Sequence, residues 1–313
     1  MGGQIMDRRN FLKAMGLAAL SAGVPLGAAR PLLAQVLPDQ GPPDLVLVKG
    51  APGAATRAAI QALGGMSRFV KTGQKVVIKP NMSFAQSPES ATNTHPDVVR
   101  ELVVLCKEAG AGRVRVLDNP LQSSELALRK SGILDACNSV EEGICRHITS
   151  GSLYRETVIS DGLDMKSNAF MLDVLEADVI IAVPVAKSHG STGVSLSLKG
   201  QMGLISDRRS MHSTYALDTS IVDLNTTVKP ALSVIDATRV LSTKGPGGNG
   251  LVLTPGEVIA SSDPVAADAL AVSSYEWYGQ KIAPRQVGHI RLAHERGLGR
   301  MDIDNLRISR LVA

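Results

Sequence analysis

Residues 177–203 constrain the fold most. Val179 to Val183 is an unbroken apolar, largely β-branched run that stops at Pro184. A run of this length, closed by a turn residue, reads as a strand buried on both faces. The segment that follows packs poorly. It carries Lys187, Ser188 and His189, then Gly190-Ser191-Thr192-Gly193, then Lys199-Gly200. A buried strand that releases into a Gly/Ser/Thr-rich loop with two lysines and a histidine is suited to receive a negatively charged group.

The rest of the chain repeats the strand signal at intervals. Further strands are expected at 45–49, 75–79, 113–117, 232–236, 257–261 and 306–311. Helical spacing falls between them at 54–63, 124–131, 171–176, 215–225 and 289–296. Two more helices carry proline in their first turn. One is capped by Thr94 or His95 ahead of Pro96, the other by Ser262 or Asp263 ahead of Pro264. Strands alternating with such helices predict an α/β fold with a mainly parallel sheet flanked by helices. Residues 132–168 resist the pattern, and their alternation points to a small antiparallel subdomain. The expected organisation is a single α/β domain over 35–313.

Residues 1–34 have another character. Arg8-Arg9-Asn10-Phe11-Leu12-Lys13 precedes an Ala/Gly/Leu-rich run from Ala14 to Ala29. The paired arginines and the short apolar run resemble a twin-arginine export signal. The run is interrupted by Gly16, Gly23, Pro25 and Gly27, which makes it too weak for a stable span. The implied location is the periplasm or another exported compartment, and the implied first partner is the twin-arginine export machinery. Four basic residues and one acid precede residue 35, so the net charge of +4 falls to about +1 for the remainder. With only 3% aromatic residues as well, nucleic acid is not an expected partner. Cys106, Cys137 and Cys145 form no C-x-x-C pair, which excludes an iron–sulfur motif. Two arrangements are open for them: a Cys137–Cys145 disulfide, or three buried thiols.

The strand ends carry the chemistry. Strand 75–79 ends at Lys79 and Asn81, strand 113–117 at Asp118, and strand 179–183 leads to Lys187 and His189. Strands 232–236 and 257–261 end at Asp236 and Asp263. In open parallel sheets ligands bind beyond the carboxyl edge, and charges gathered there need a partner. Lys79, Asn81, Lys187, Lys199, Gly193 and Asp236 are the candidate ligand-binding residues, with the 190–193 amides assisting. His189 is the candidate acid/base, with Lys187 beside it. A divalent metal is the alternative, held by His189, His212, Asp118 and Asp263, although no metal-binding spacing is present. Asp263 reads equally as a helix cap, and His95 as a cap first. The 245–250 loop is a flap, lacking the setting of a dinucleotide fingerprint. Ser188 beside His189 is no evidence of a triad, because neighbours in sequence rarely face each other.

Several stretches resemble a prokaryotic family known as domain of unknown function family 362. They are Val76-Val77-Ile78-Lys79-Pro80-Asn81, Thr94-His95-Pro96, Pro184-Val185-Ala186-Lys187-Ser188-His189, Ser195-Leu196-Ser197-Leu198-Lys199-Gly200 and Ser262-Asp263-Pro264-Val265-Ala266-Ala267-Asp268. His212 and Ile221–Asn225 fit the same pattern, over roughly residues 45–275. The family's activity is not established. Some members carry ferredoxin-type cysteine motifs, which this chain lacks. The central loop is also similar to the basic, Gly-rich loop of nickel-pincer lactate racemases, a local likeness that implies isomerase chemistry. The functional expectation is an exported protein that binds an anionic small molecule or cofactor, with or without a metal, in redox or isomerase chemistry. The alternatives are a non-catalytic ligand-binding protein and an accessory protein with a redox-complex partner.

Overall fold

The computed structural model describes residues 41–148 and 150–313, so the export-like segment 1–34 lies outside the described residues. The strands are β1 (Leu45–Lys49), β2 (Lys75–Pro80), β3 (Arg113–Asp118), β4 (Cys145–His147), β5 (Tyr154–Val158), β6 (Ser167–Met171) and β7 (Val179–Val183). After them come β8 (Val185–His189), β9 (Gly193–Ser195), β10 (Leu232–Leu241), β11 (Val252–Leu253), β12 (Glu257–Ser261) and β13 (Ile308–Val312). The main sheet runs β13-β1-β12-β10-β7-β2-β3-β4, with β8, β9 and β11 attached beside β10. Pro42–Ala313 forms one compact unit.

The period-two alternation of each strand builds two cores. Val46, Val48, Val76, Ile78, Val116 and Ile181 face one side, which the helices Pro52–Ala62 and Pro96–Glu108 cover. Leu45, Leu47, Val77, Leu117, Ile235 and Ile259 face the other, under the helices Leu217–Thr227, Pro264–Ser274 and Gly288–Glu295. Both faces are therefore apolar, as near-continuous hydrophobic strands require. The fold is α/β: a mixed, mostly parallel sheet between helices, with a small antiparallel sheet of β5 and β6. Residues 132–168 divide between two settings. The helix Ile133–Asn138 and β4 belong to the main sheet and its flank, and β5 with the start of β6 makes the antiparallel pair.

Two departures from expectation shape the site. β12 runs antiparallel to both β1 and β10, so its carboxyl end lies at the opposite edge of the sheet from those of β2, β3, β7 and β10. Residues 185–189 form a strand where a loop was expected. Pro184 has no N–H for the ladder. Beyond it the chain leaves β2, pairs with the second half of β10 and folds back as the β8–β9 hairpin.

The three cysteines are free and buried, so the disulfide arrangement is absent. Burial pushes the Cys106 thiol up to about 12, which leaves it inert.

Asp236 was expected among the ligand-binding residues, but it serves the fold. It is fully buried and takes hydrogen bonds from His95 N at 2.7 Å, Thr238 N at 3.0 Å and Thr238 Oγ1 at 2.6 Å, and it pairs with Arg239. It thereby fastens the middle of β10 to the N-terminus of the helix Pro96–Glu108. Breaking such a buried network costs about 3–5 kcal/mol. Asp236→Ala should lower stability by that amount in denaturant unfolding, whatever anion is present.

Candidate functional site

Parallel neighbours in register bring β2 and β3 to a common edge. Ile78 pairs with Val116, so Lys79 and Asp118 emerge side by side. Lys79 Nζ lies 3.0 Å from Asp118 Oδ1 and donates to the carbonyl of Pro80 at 2.5 Å. Asp118 also accepts from Asn119 N at 2.9 Å, Met82 N at 2.9 Å and Ser83 Oγ at 3.3 Å. Its oxygens are therefore committed. Burial lowers the pKa of Lys79, and the contact with Asp118 opposes that shift.

Lys187 and His189 share one face of β8, because alternate residues do. Ser188 points the other way, where its Oγ accepts from Gly245 N at 2.9 Å, so no Ser–His pair exists. Lys187 Nζ donates to the carbonyl of Thr92 at 2.6 Å and to Asn81 Oδ1 at 3.2 Å, and lies 4.6 Å from the Phe84 ring centre. Burial, with Lys199 and Lys79 nearby, lowers its pKa well below the ordinary lysine value. His189 Nδ1 accepts from Ser191 N at 3.1 Å. The neutral ring therefore carries its proton on Nε2. Burial and the surrounding cations lower His189 to about 3, so the neutral form is the working form. The ring stacks on His212 with centroids 6.1 Å apart. The pKa of His212 is lowered too, first by burial and then by Lys199 and Arg208.

Lys199 stands on the short helix Ser197–Gly200. Asp268 caps that helix from the neighbouring helix Pro264–Ser274, accepting from Ser197 N at 2.8 Å and Leu198 N at 3.0 Å. Lys199 is 9% exposed, and its Nζ has the Met202 thioether at 3.5 Å. No oxygen acceptor lies within hydrogen-bond reach of it among the described residues. Burial, then Arg208, lowers its pKa to about 8.

These groups line one cavity of about 330 Å³. Lys79, Asn81, Asp118, Lys187, His189, Lys199 and His212 all border it, although they come from strands and helices far apart in the chain. Gly193, Asp236 and Asp263 do not. Gly193 opens β9 with φ +76°, a glycine position at the hairpin turn. Asp263 caps the helix Pro264–Ser274 through Val265 N and Ala266 N, at the other edge of the sheet. There it lines a separate cavity of about 750 Å³ with Asn225, Ser262 and Arg296. That cavity is larger, but its one arginine is engaged by Asp223 and the carbonyl of Asp161. The 245–250 loop contributes Pro246 to the smaller cavity and is fixed by Gly245 N to Ser188 Oγ and by Gln86 Nε2 to the carbonyl of Gly247 at 2.6 Å.

Sequence reasoning missed Ser83, Phe84, Arg208, Arg209 and Gly203, which also border the cavity. The Asp207-Arg208-Arg209 run, close behind Lys199, was the available signal for the two arginines. Gly203 gave none, because its role depends on residues more than eighty positions away. As for a metal, no group of three or more His, Cys, Asp or Glu side chains able to hold one occurs among the described residues.

The family model described as domain of unknown function (DUF362) matches residues 76–273. The chain belongs to the DUF362 family. The match takes in every residue of the smaller cavity. Among curated relatives, the DUF362 chain is 26% identical over 228 residues to the thylakoid-associated protein sll1697 of Synechocystis sp. (strain ATCC 27184 / PCC 6803 / Kazusa). That alignment covers 69% of this chain and 67% of the relative. Two solved structures share part of the architecture. One is the lactate racemase apoprotein from Thermoanaerobacterium thermosaccharolyticum, at 15% identity and TM-score 0.44, covering 76% of this chain and 58% of that one. The other is a protein from Thermotoga maritima, at 14% identity and TM-score 0.37, covering 60% and 51%. The chain thus spans little more than half of either solved chain, and overlaps this loose carry no argument about activity.

Gly203 tests the packing of the Lys79–Asp118 pair. A Cβ there would collide with Asp118 Oδ1 and lie 2.6 Å from Lys79 Cε, whereas a Cβ on Gly200 would rest 3.8 Å from Pro184 Cβ. Gly203→Ala should therefore destabilise the protein by about 1–3 kcal/mol. Gly200→Ala should be close to neutral, with both changes read from thermal or denaturant melts.

Proposed function

We propose that this DUF362 protein binds a small anionic molecule, bearing a carboxylate or phosphate, in the cavity at the carboxyl edge of its sheet. The observation that carries the reading is Lys199, a cavity-lining, buried amine with a thioether in place of an oxygen acceptor. Buried charge is tolerated when it is paired. Lys79, Lys187, Lys199, Arg208 and Arg209 line the cavity against two carboxylates, Asp118 and Asp207, and Asp118 is already taken by Lys79. A bound anion supplies the missing counter-charge. His189 adds a neutral N–H donor at Nε2. The same surplus of positive charge around His189 and His212 disfavours a divalent cation there.

Anions should therefore raise the melting temperature. At a concentration of 100 times Kd the expected stabilisation is about 2.7 kcal/mol. Lys187→Met should keep the fold and weaken this response by about 1–3 kcal/mol. A variant that is unfolded without ligand would instead make Lys187 a structural group. Affinity should also depend on pH. The anion needs the ammonium form of Lys199, whose folded pKa of about 8 lies below the ordinary lysine value. Sulfate affinity, measured because sulfate keeps its charge across the range, should fall as pH rises through about 8. The groups facing Lys199 are Lys187, His189, His212, Arg208, Asp218 and His289. Arg208 pushes Lys199 in the same direction as burial, and Asp218 opposes it.

The proposal also places the binding function in an exported compartment, a reading that rests on the sequence of residues 1–34. Replacing both Arg8 and Arg9 by Lys should retain the chain in the cytoplasm. Cell fractionation that finds export unchanged would require another route.

A further inference from the structure

We propose that Lys199 forms an imine with a small carboxylate that also carries a carbonyl group, an α-keto acid, inside this cavity. The proposal rests on the anion-binding reading and narrows it to one ligand class. Of the three lysines at the site, two are locked. Lys79 is held by Asp118 and the Pro80 carbonyl, and Lys187 by the Thr92 carbonyl and Asn81. Lys199 has only the Met202 sulfur, and it is set on a helix that Asp268 fixes in place. Arg208 and Arg209 border the same space and are the cations presented to a carboxylate. A volume of about 330 Å³ is at the small end for ligand sites and suits a few-carbon acid.

The chemistry needs an unprotonated amine. Burial beside another cation is how proteins prepare one. Lys199 is lowered to about 8, so a useful fraction is neutral near physiological pH. Behind it, fully buried His289 holds Asp218 through Nδ1 at 3.2 Å, while its Nε2 has no hydrogen-bond partner. Burial lowers the pKa of His289, Asp218 opposes that shift and the charge of Lys199 adds to it, which places a third imidazole, after His189 and His212, in the electrostatic neighbourhood of the amine. In the step itself the Nζ lone pair attacks the carbonyl carbon and forms the C–N bond. The two amine hydrogens pass to the carbonyl oxygen, which leaves as water. The C=N bond remains, and no oxidant or reductant is consumed.

Reductive trapping tests the inference. The full chain is incubated with pyruvate and sodium cyanoborohydride near neutral pH, and adducts are mapped by peptide mass spectrometry. Labelling at Lys199 should exceed that at the more exposed Lys75 and Lys107 by roughly tenfold or more. Sulfate should protect Lys199 selectively. Lys199→Arg should lose the mapped adduct, while a variant at the exposed Lys107, Lys107→Arg, should keep both the adduct at Lys199 and the stabilisation by sulfate. Absence of a Lys199 adduct in a wild-type protein that sulfate does stabilise would overturn the imine alone. Absence of both adduct and anion stabilisation would remove the anion reading too. Equal labelling of all lysines would also overturn the imine, and this comparison within the wild-type protein holds even if the variant fails to fold.

Discussion

The Lys79–Asp118 contact is the joint on which the site depends. It spans two adjacent parallel strands at the point where they leave the sheet, and both partners are removed from solvent. Removing either partner would leave a buried charge unmatched, a large penalty in a low-dielectric interior. The joint also satisfies the turn after β2, because Asp118 takes the amide of Met82 and the hydroxyl of Ser83. That turn leads to Asn81 and, through Thr94, to the end of β7, whose Val183 carbonyl accepts from the Thr94 hydroxyl. Asn81 in turn receives Lys187. Three strand ends are thus held in one arrangement by polar contacts that converge on a single pair.

Strand direction decides which charges meet. β2, β3, β7 and β10 point the same way, so their carboxyl ends share an edge. β12 lies between β1 and β10 but points the other way, and Asp263 leaves the group for that reason alone. Asp236 remains at the right edge but is buried under β8, where the Pro184 break lets a new strand pair with the far half of β10. The strand that displaces Asp236 carries Lys187 and His189 into the cavity. An acidic group is covered and two basic groups are presented, which shifts the site toward anions.

Much of this was legible from residues. The two-faced apolar strands and the Pro-started helices gave the α/β class, and Lys79, Asn81, Asp118, Lys187, His189, Lys199 and His212 do come together around one cavity. What was not legible shares one cause. A strand's sequence reports that it is buried, not which way it runs, because the hydrophobic pattern reads alike in both directions. Hence Asp263 was grouped with residues at the opposite edge. Close approach across long sequence separation is equally silent, which is why Gly203 went unnoticed beside Asp118 and Lys79.

The sequence by itself determined the alternation of strands and helices, the burial of both sheet faces and the supply of cationic groups after the central strands. These follow from hydrophobic period and local turn chemistry, which act over a few residues. Only the tertiary structure decided that β12 is reversed, that 185–189 is a strand, that Asp236 is a clamp, and that Lys199 alone among the site's lysines is left without an oxygen partner. Those outcomes depend on pairing direction and on contacts between distant segments, and they are fixed when the sheet assembles as a whole.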